Sequence, residues 1–194
     1  MKRAIITGNK VYFRPLEKED IQKGWHDWIN DHEATGGLAG AFPVTREDLE
    51  SYYENNKPPS SVMFAICDIE ADEYIGNCRL GSINWVDRNC TYGRLIGNPK
   101  YRGKGIGTEV LELMFRYGFH YLGMERIWSG AVSCNHISIR NNEKFGMKVE
   151  GIQRKTVFRN GQYYDSVMLA MLRDEFDEKY GPTQNIFENI NKKK

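Results

Sequence analysis

The chain has no apolar run approaching the roughly 18 residues of a membrane-spanning helix, and its start, Met1 to Lys10, has no apolar core. Neither a membrane span nor a secretory leader is expected, so a cytoplasmic location is. Cysteine is scarce. Cys67, Cys78, Cys90 and Cys134 are the four, and no two form a C-x-x-C pair. That argues against a zinc knuckle or dithiol motif; no metal is expected, and reduced, mostly buried thiols are. An excess of one charge is lacking too. Twenty-seven Lys and Arg against 26 Asp and Glu leave +1, which gives no case for nucleic acid or an anionic membrane as partner. No internal repeat is visible.

What is present fits one globular domain. The 194 residues are 40% apolar and 27% charged, ordinary for such a unit. A domain over 1–180 and a polar, frayed tail over 181–194 are expected. The charge is unevenly placed: residues 17–73 hold fourteen Asp/Glu and four Lys/Arg, whereas residues 98–159 hold five and eleven. Solvated helix faces explain most of this. A basic half holding an anionic cofactor and an acidic half meeting an amine would also produce it.

Pattern and punctuation place the elements. Val11–Pro15 reads as a strand. Glu17–Asn30 carries Trp25, Trp28 and Ile29 at helical spacing, and Thr45 to Asp48 reads as a capping box opening a second helix. The glycines between them, Gly36, Gly37 and Gly40, suggest a loop. Val62–Asp68, Tyr74–Trp85 and Thr91–Ile96 read as strands, with a turn at Asp87 to Asn89. A helix from Ile106, a strand over Ile127–Ser133 and a helix over Asn135–Phe145 follow. Last comes a hairpin, Val149–Phe158 with Tyr163–Leu172, turning at Asn160-Gly161. This order gives an α/β sandwich, a mixed and bent sheet with helices on both faces.

The most informative stretch is Tyr101-Arg102-Gly103-Lys104-Gly105-Ile106-Gly107-Thr108. Glycines let the backbone approach a ligand, and the helix that follows adds the positive end of its dipole. Together they make a cradle for a diphosphate. A Walker A loop fails on spacing: counted from Gly97, Arg102 stands where the second glycine must be. A dinucleotide fingerprint fails as well, because glycines at 103, 105 and 107 are one residue too tight. A nucleotide-binding protein is therefore disfavoured.

Arg102, Gly105 and Gly107 match the [QR]-x-x-G-x-[GA] pattern of the GNAT superfamily of acyl-CoA-dependent N-acyltransferases, and the loop resembles its pyrophosphate loop. Asn135-His136-Ile137-Ser138, followed by Glu143-Lys144-Phe145-Gly146-Met147, resembles a second segment of that superfamily. The N-terminal Phe13-Arg14-Pro15-Leu16 and Trp25 to Asp31 fit the branch holding ribosomal-protein alanine and spermidine N-acetyltransferases. The resemblance covers residues 10–176 in matching order. It implies a mostly antiparallel sheet of about seven strands, acetyl-CoA as cosubstrate and a primary amine as acceptor: a polyamine, an amino sugar or a protein N-terminus. Related enzymes are often dimers, but the sequence shows no distinct interface, and the homodimer stays open. A non-catalytic acyl-CoA-binding module on the same fold is the rival.

The same resemblance implies the site. Leu95, Ile96 and Gly97 would pair with the pantetheine arm. Arg102, Gly103, Lys104, Gly105, Ile106, Gly107 and Thr108 would hold the diphosphate, and Asn135 would bond the arm. The tyrosine that many members carry seven residues after that asparagine is here Asn142, and Ser138 matches the acid of the ribosomal-protein branch. Neither of the family's usual glutamate bases is present, since Val157 and Tyr92 stand at those positions. Tyr92 and Asp165 lead the remaining candidates, ahead of His136, Glu33 and His26.

Overall fold

The computed structural model describes residues 4–31, 35 and 42–182. The strands are β1 (Ile6–Thr7), β2 (Val11–Pro15), β3 (Val62–Asp68), β4 (Tyr74–Asn84), β5 (Asn89–Ile96), β6 (Arg126–Val132), β7 (Lys148–Arg159) and β8 (Gln162–Leu172). The helices are α1 (Trp25–Asn30), α2 (Arg46–Asn55), α3 (Ile106–Arg116), α4 (His136–Phe145) and α5 (Arg173–Tyr180). One sheet of eight strands runs in the order β1-β2-β3-β4-β5-β6-β8-β7. Every neighbouring pair is antiparallel except β5 and β6.

The mixed sheet with helices on both faces is the fold the sequence leads one to expect. Three details differ. The extra strand is β1, two residues that pair Ile6 with Phe13 and Thr7 with Tyr12; two residues are too short to leave an alternating pattern. The single helix expected over Glu17–Asn30 is split into a 3-10 turn at Lys18–Ile21 and α1, because Gly24 sits at φ +139 and caps α1. The helix from the glycine loop ends in a wider π turn at Tyr117–Tyr121. The hairpin turn forms as read, with Asn160 at φ +48 and Gly161 at φ +78, the signs of a type I′ turn. The Gly36–Gly40 loop, Glu33 and nearly all of the expected tail lie outside the described residues.

Two apolar layers hold the helices to the sheet. On one face Trp25 of α1 and Leu49 of α2 pack with Tyr12, Leu16, Ala65 and Leu95. Thr45 caps α2: its Oγ1 accepts the Asp48 N–H at 3.1 Å, and Asp48 Oδ2 accepts the Thr45 N–H at 2.9 Å. On the other face Ile106, Val110, Leu111, Met114 and Phe115 of α3 join Phe145 of α4 and Phe176 of α5 over Phe13, Phe64, Ile75 and Leu80. Phe115 is the hub, with ring centroids 5.1 Å from Phe145, 5.7 Å from Phe119 and 5.4 Å from Tyr92. Burying each such ring stabilises by about 1.5–3 kcal/mol. This layer fixes α3, and with α3 the glycine loop.

Candidate active site

Between β5 and β6 the sheet opens. The two strands pair only where Asn89, Cys90 and Thr91 face Arg126, Ile127 and Trp128. Beyond Thr91, β5 stays on β4 as far as Ile96, and β6 stays on β8 as far as Val132. Across the gap, β5 from Tyr92 onward and β6 from Ser129 onward have no strand partner among the described residues. An open strand edge presents alternating N–H and C=O groups, the complement of an amide-bearing chain.

The glycine loop closes one end of this gap. Gly105, at φ +77, is the N-cap residue of α3, and no side chain caps that helix. Thr108 N–H bonds back to the Gly105 carbonyl at 3.2 Å, which leaves the N–H groups of Ile106 and Gly107 at the exposed positive end of the dipole. The cations are arranged less simply than the sequence suggests. Arg102 folds back onto the end of β5: its Nη2 donates to the Gly97 carbonyl at 2.7 Å and its Nε to the Ile96 carbonyl at 3.3 Å, with Asp31 at 3.7 Å. Lys104 Nζ lies 5.6 Å from the centroid of Tyr101.

Leu95, Ile96 and Gly97 are therefore not equivalent. Gly97 is engaged on both sides, its N–H donating to Ile75 at 3.0 Å and its carbonyl accepting from Arg102. A Cβ at this position would sit 2.0 Å from the Trp28 ring, so the glycine exists here for close packing.

A cavity of about 470 Å³ lies on the α1/α2 face and reaches the open edge of β5. Trp25, Leu49, Tyr52, Met63 and Leu95 form apolar walls. Arg79, Tyr92 and Arg94 also line it, although the Tyr92 ring itself packs on Phe115 in the α3 layer. Tyr92 is 6% exposed, and burial pushes its phenol up to about 12. At neutral pH it holds its proton and is a donor rather than a base. Arg94 Nη1 donates to its hydroxyl at 3.4 Å. The same guanidinium reaches the first turn of α3, where a Cβ on Gly107 would lie 3.3 Å from Arg94 Nε.

The remaining candidates lie elsewhere. Asn135 caps α4, its Oδ1 accepting the Ser138 N–H at 3.0 Å, and this puts both residues at the β6 side of the gap. Neither lines the 470 Å³ cavity. Asp165 is on β8 and holds the irregular stretch of β7: its Oδ1 accepts the N–H of Lys155, a residue at φ +53, at 2.8 Å. His136 is exposed at the start of α4, and His26 meets the Asp27 carboxylate at 3.2 Å. Asn142 is buried, and its Oδ1 has no hydrogen-bond partner among the described residues.

Sequence reasoning missed Arg79 and Lys10, and gave Arg94 no role beyond its place in the strand before the loop. Arg79 falls between the acidic and basic stretches, and the signal that could have found it is a charge between two buried strand neighbours, Cys78 and Leu80. Lys10 left no signal: tertiary structure brings its Nζ to 3.0 Å from the Lys104 carbonyl. Among the described residues no cluster of His, Cys, Asp and Glu could hold a metal, and no helix is long and apolar enough to cross a membrane.

This geometry has relatives. The acetyltransferase (GNAT) domain model matches residues 10–148. The YokL protein of Bacillus subtilis, an uncharacterized prophage-derived N-acetyltransferase, is 29% identical over 179 residues, covering 90% of this chain and 97% of that protein. The spermidine N(1)-acetyltransferase of Escherichia coli strain K12 is 26% identical over 171 residues, covering 88% of this chain and 90% of that protein. Among solved structures, the spermidine N-acetyltransferase of Vibrio cholerae in complex with CoA and spermine superposes with a TM-score of 0.79 at 22% identity, covering 87% of this chain and 99% of that one. At that identity the likeness speaks for the fold. With the family model spanning residues 10–148, a stretch that includes the open β5 edge and helix α3, this chain belongs to the GNAT family of acetyltransferases.

Proposed function

We propose that the chain moves the acetyl group of acetyl-CoA directly to a primary amine, with both substrates bound together. The observation that carries this reading is the meeting of an unpaired strand edge, Tyr92 to Leu95, with the uncapped N-terminus of α3. The open edge suits the two amides of a pantetheine arm, and the helix N-terminus suits a diphosphate. The acetyl-CoA thioester supplies an activated acetyl group to an amine nucleophile. The chain's own groups then have three tasks. The Ile106 and Gly107 N–H groups bind negative charge, with Arg94 close by. The β5 edge orients the donor so that two substrates meet in one cavity, which replaces a bimolecular encounter. Tyr92, protonated at neutral pH, donates a hydrogen bond where charge gathers on the departing sulfur. Ser138, at the other lip of the gap, is a second proton donor for the same place. The acceptor's amine loses its proton to solvent rather than to Tyr92, whose phenolate is inaccessible near pH 7.

Titration calorimetry with acetyl-CoA, with ATP and NAD as controls, tests this. Micromolar binding of acetyl-CoA that Gly105→Glu abolishes is expected, because a side chain at φ +77 strains the loop and a carboxylate repels the diphosphate. Preference for ATP, or no binding of acetyl-CoA, would remove the reading.

A further inference from the structure

The described walls of the 470 Å³ cavity do not suit a polycation. Among its described lining residues the only acid is Asp48, an exposed residue whose Oδ2 is already taken by the cap of α2. One guanidinium, that of Arg79, stands on this face of the sheet, and among the described residues it has no carboxylate partner.

Arg79 is held in a fixed place. Its Nε donates to Ser61 Oγ at 2.9 Å, and Ser61 is 1% exposed. Its Nη1 donates to the Tyr52 hydroxyl at 2.8 Å. The guanidinium lies over Gly81, where an added Cβ would be 2.2 Å from Nη2. Across the ladder Arg79 faces Gly93, and a Cβ on Gly93 would meet nothing within 4 Å. Two glycines thus make room, one for the cation and one beside it. Its two bonded partners are neutral hydroxyls, and Nη2 has no hydrogen-bond partner among the described residues. A half-buried cation held over the Tyr52 ring, 5.6 Å from its centroid, and without a carboxylate partner among the described residues is suited to an anion.

We propose that the acceptor is a small primary amine that also carries an anionic group, a carboxylate or a phosphate-like group, on an apolar body, and that Arg79 binds that anion. This rests on reading the cavity as the acceptor side of an acetyl transfer. The anion docks on Arg79 Nη2 in the space left by Gly93, and the apolar body lies against Trp25, Leu49 and Met63. The amine then lies toward the open edge of β5, one residue along from Gly93 at Tyr92. A polyamine meets like charge in the same place, which costs affinity.

Release of free thiol from acetyl-CoA is followed with phenylalanine, leucine, methionine and tryptophan, with their carboxamides, with 1-amino-2-phenylethylphosphonate and with spermidine. The expected result is a kcat/KM at least about tenfold higher for an anionic amine than for its carboxamide or for spermidine. The phosphonate separates the two anion sources. Arg79→Gln is expected to raise KM for the anionic amine by about 10- to 100-fold and to leave the matched carboxamide within about twofold. Gly81→Ala keeps the charge but displaces the guanidinium, and should raise KM in the same selective way. Acetyl-CoA affinity, measured on every variant, reports the fold. Turnover of spermidine or the carboxamides as fast as the anionic amines overturns the inference, as does acetyl-CoA binding without turnover of any anionic amine. Failure to bind acetyl-CoA overturns the transferase reading instead.

Discussion

Arg102 Nη2 donates to the carbonyl of Gly97 at 2.7 Å, so the cation that opens the glycine loop also clamps the last turn of backbone before it. A second bond, to Ile96 at 3.3 Å, makes the contact two-pronged. Lysine cannot reproduce the fork. Arg102→Lys should lower stability by about 1–2 kcal/mol and weaken acetyl-CoA binding by about tenfold, through loosening of the loop. Thermal unfolding and calorimetry check both; unchanged hydrogen exchange at residues 98–105 would contradict the clamp.

Gly97 and Trp28 should be coupled. A Cβ at Gly97 would lie 2.0 Å from the indole, and overpacking of this kind costs about 1–3 kcal/mol. Gly97→Ala is therefore destabilising in the native background and much less so with Trp28→Leu. A double-mutant cycle from urea unfolding measures the coupling, and strict additivity would refute the contact.

The phenol of Tyr92 gives a pH signature. Its pKa rises from 10.0 to about 12 through burial, and that of the Cys90 thiol from 9.0 to about 12 for the same reason. A raised pKa means that the unfolded chain loses the proton first. The stability from keeping these groups neutral is complete below pH 9 and is lost as pH climbs toward 12. For Tyr92 the loss amounts to roughly 2–3 kcal/mol. Urea midpoints between pH 8 and 11 should fall, and fall less in Tyr92→Phe. The same substitution should lower kcat by about 10- to 100-fold without adding an alkaline limb below pH 10, since a donor and not a base is removed.

Asp165 separates two roles cleanly. Its Oδ1 supports the backbone of Lys155 at φ +53, so Asp165→Ala should cost about 1–2 kcal/mol of stability. A base would lose orders of magnitude in kcat; an Asp165→Ala enzyme within about threefold of the native rate, measured well below its melting point, identifies a structural carboxylate.

Local chemistry made much of this protein readable. Thr45 and Asp48 cap α2 because a hydroxyl and a carboxylate three residues apart satisfy each other's backbone, and Asn160-Gly161 turns because both positions accept positive φ. The spacing Arg102, Gly105, Gly107 distinguishes this loop from Walker A and dinucleotide loops, and Gly105 stands at the N-cap of α3. These are short-range rules, and sequence carries them whole. The break at Gly24 was legible in principle but was outweighed by the spacing of Trp25, Trp28 and Ile29. What sequence could not carry is the company each side chain keeps across the sheet. The parallel pairing of β5 and β6 stops after Thr91 while β6 stays on β8 as far as Val132, an outcome set by pairings between distant parts of the chain. Lys10 meets Lys104, Arg102 turns to Gly97 instead of outward, and Arg79 comes to rest over Gly81 with Ser61 and Tyr52. The sequence by itself determined the fold class and the glycine loop that opens α3, whose signals are local in the chain. Only the tertiary structure decided where the cations stand and which of them line the cavity on the α1/α2 face, because those depend on long-range register and on which buried groups find partners.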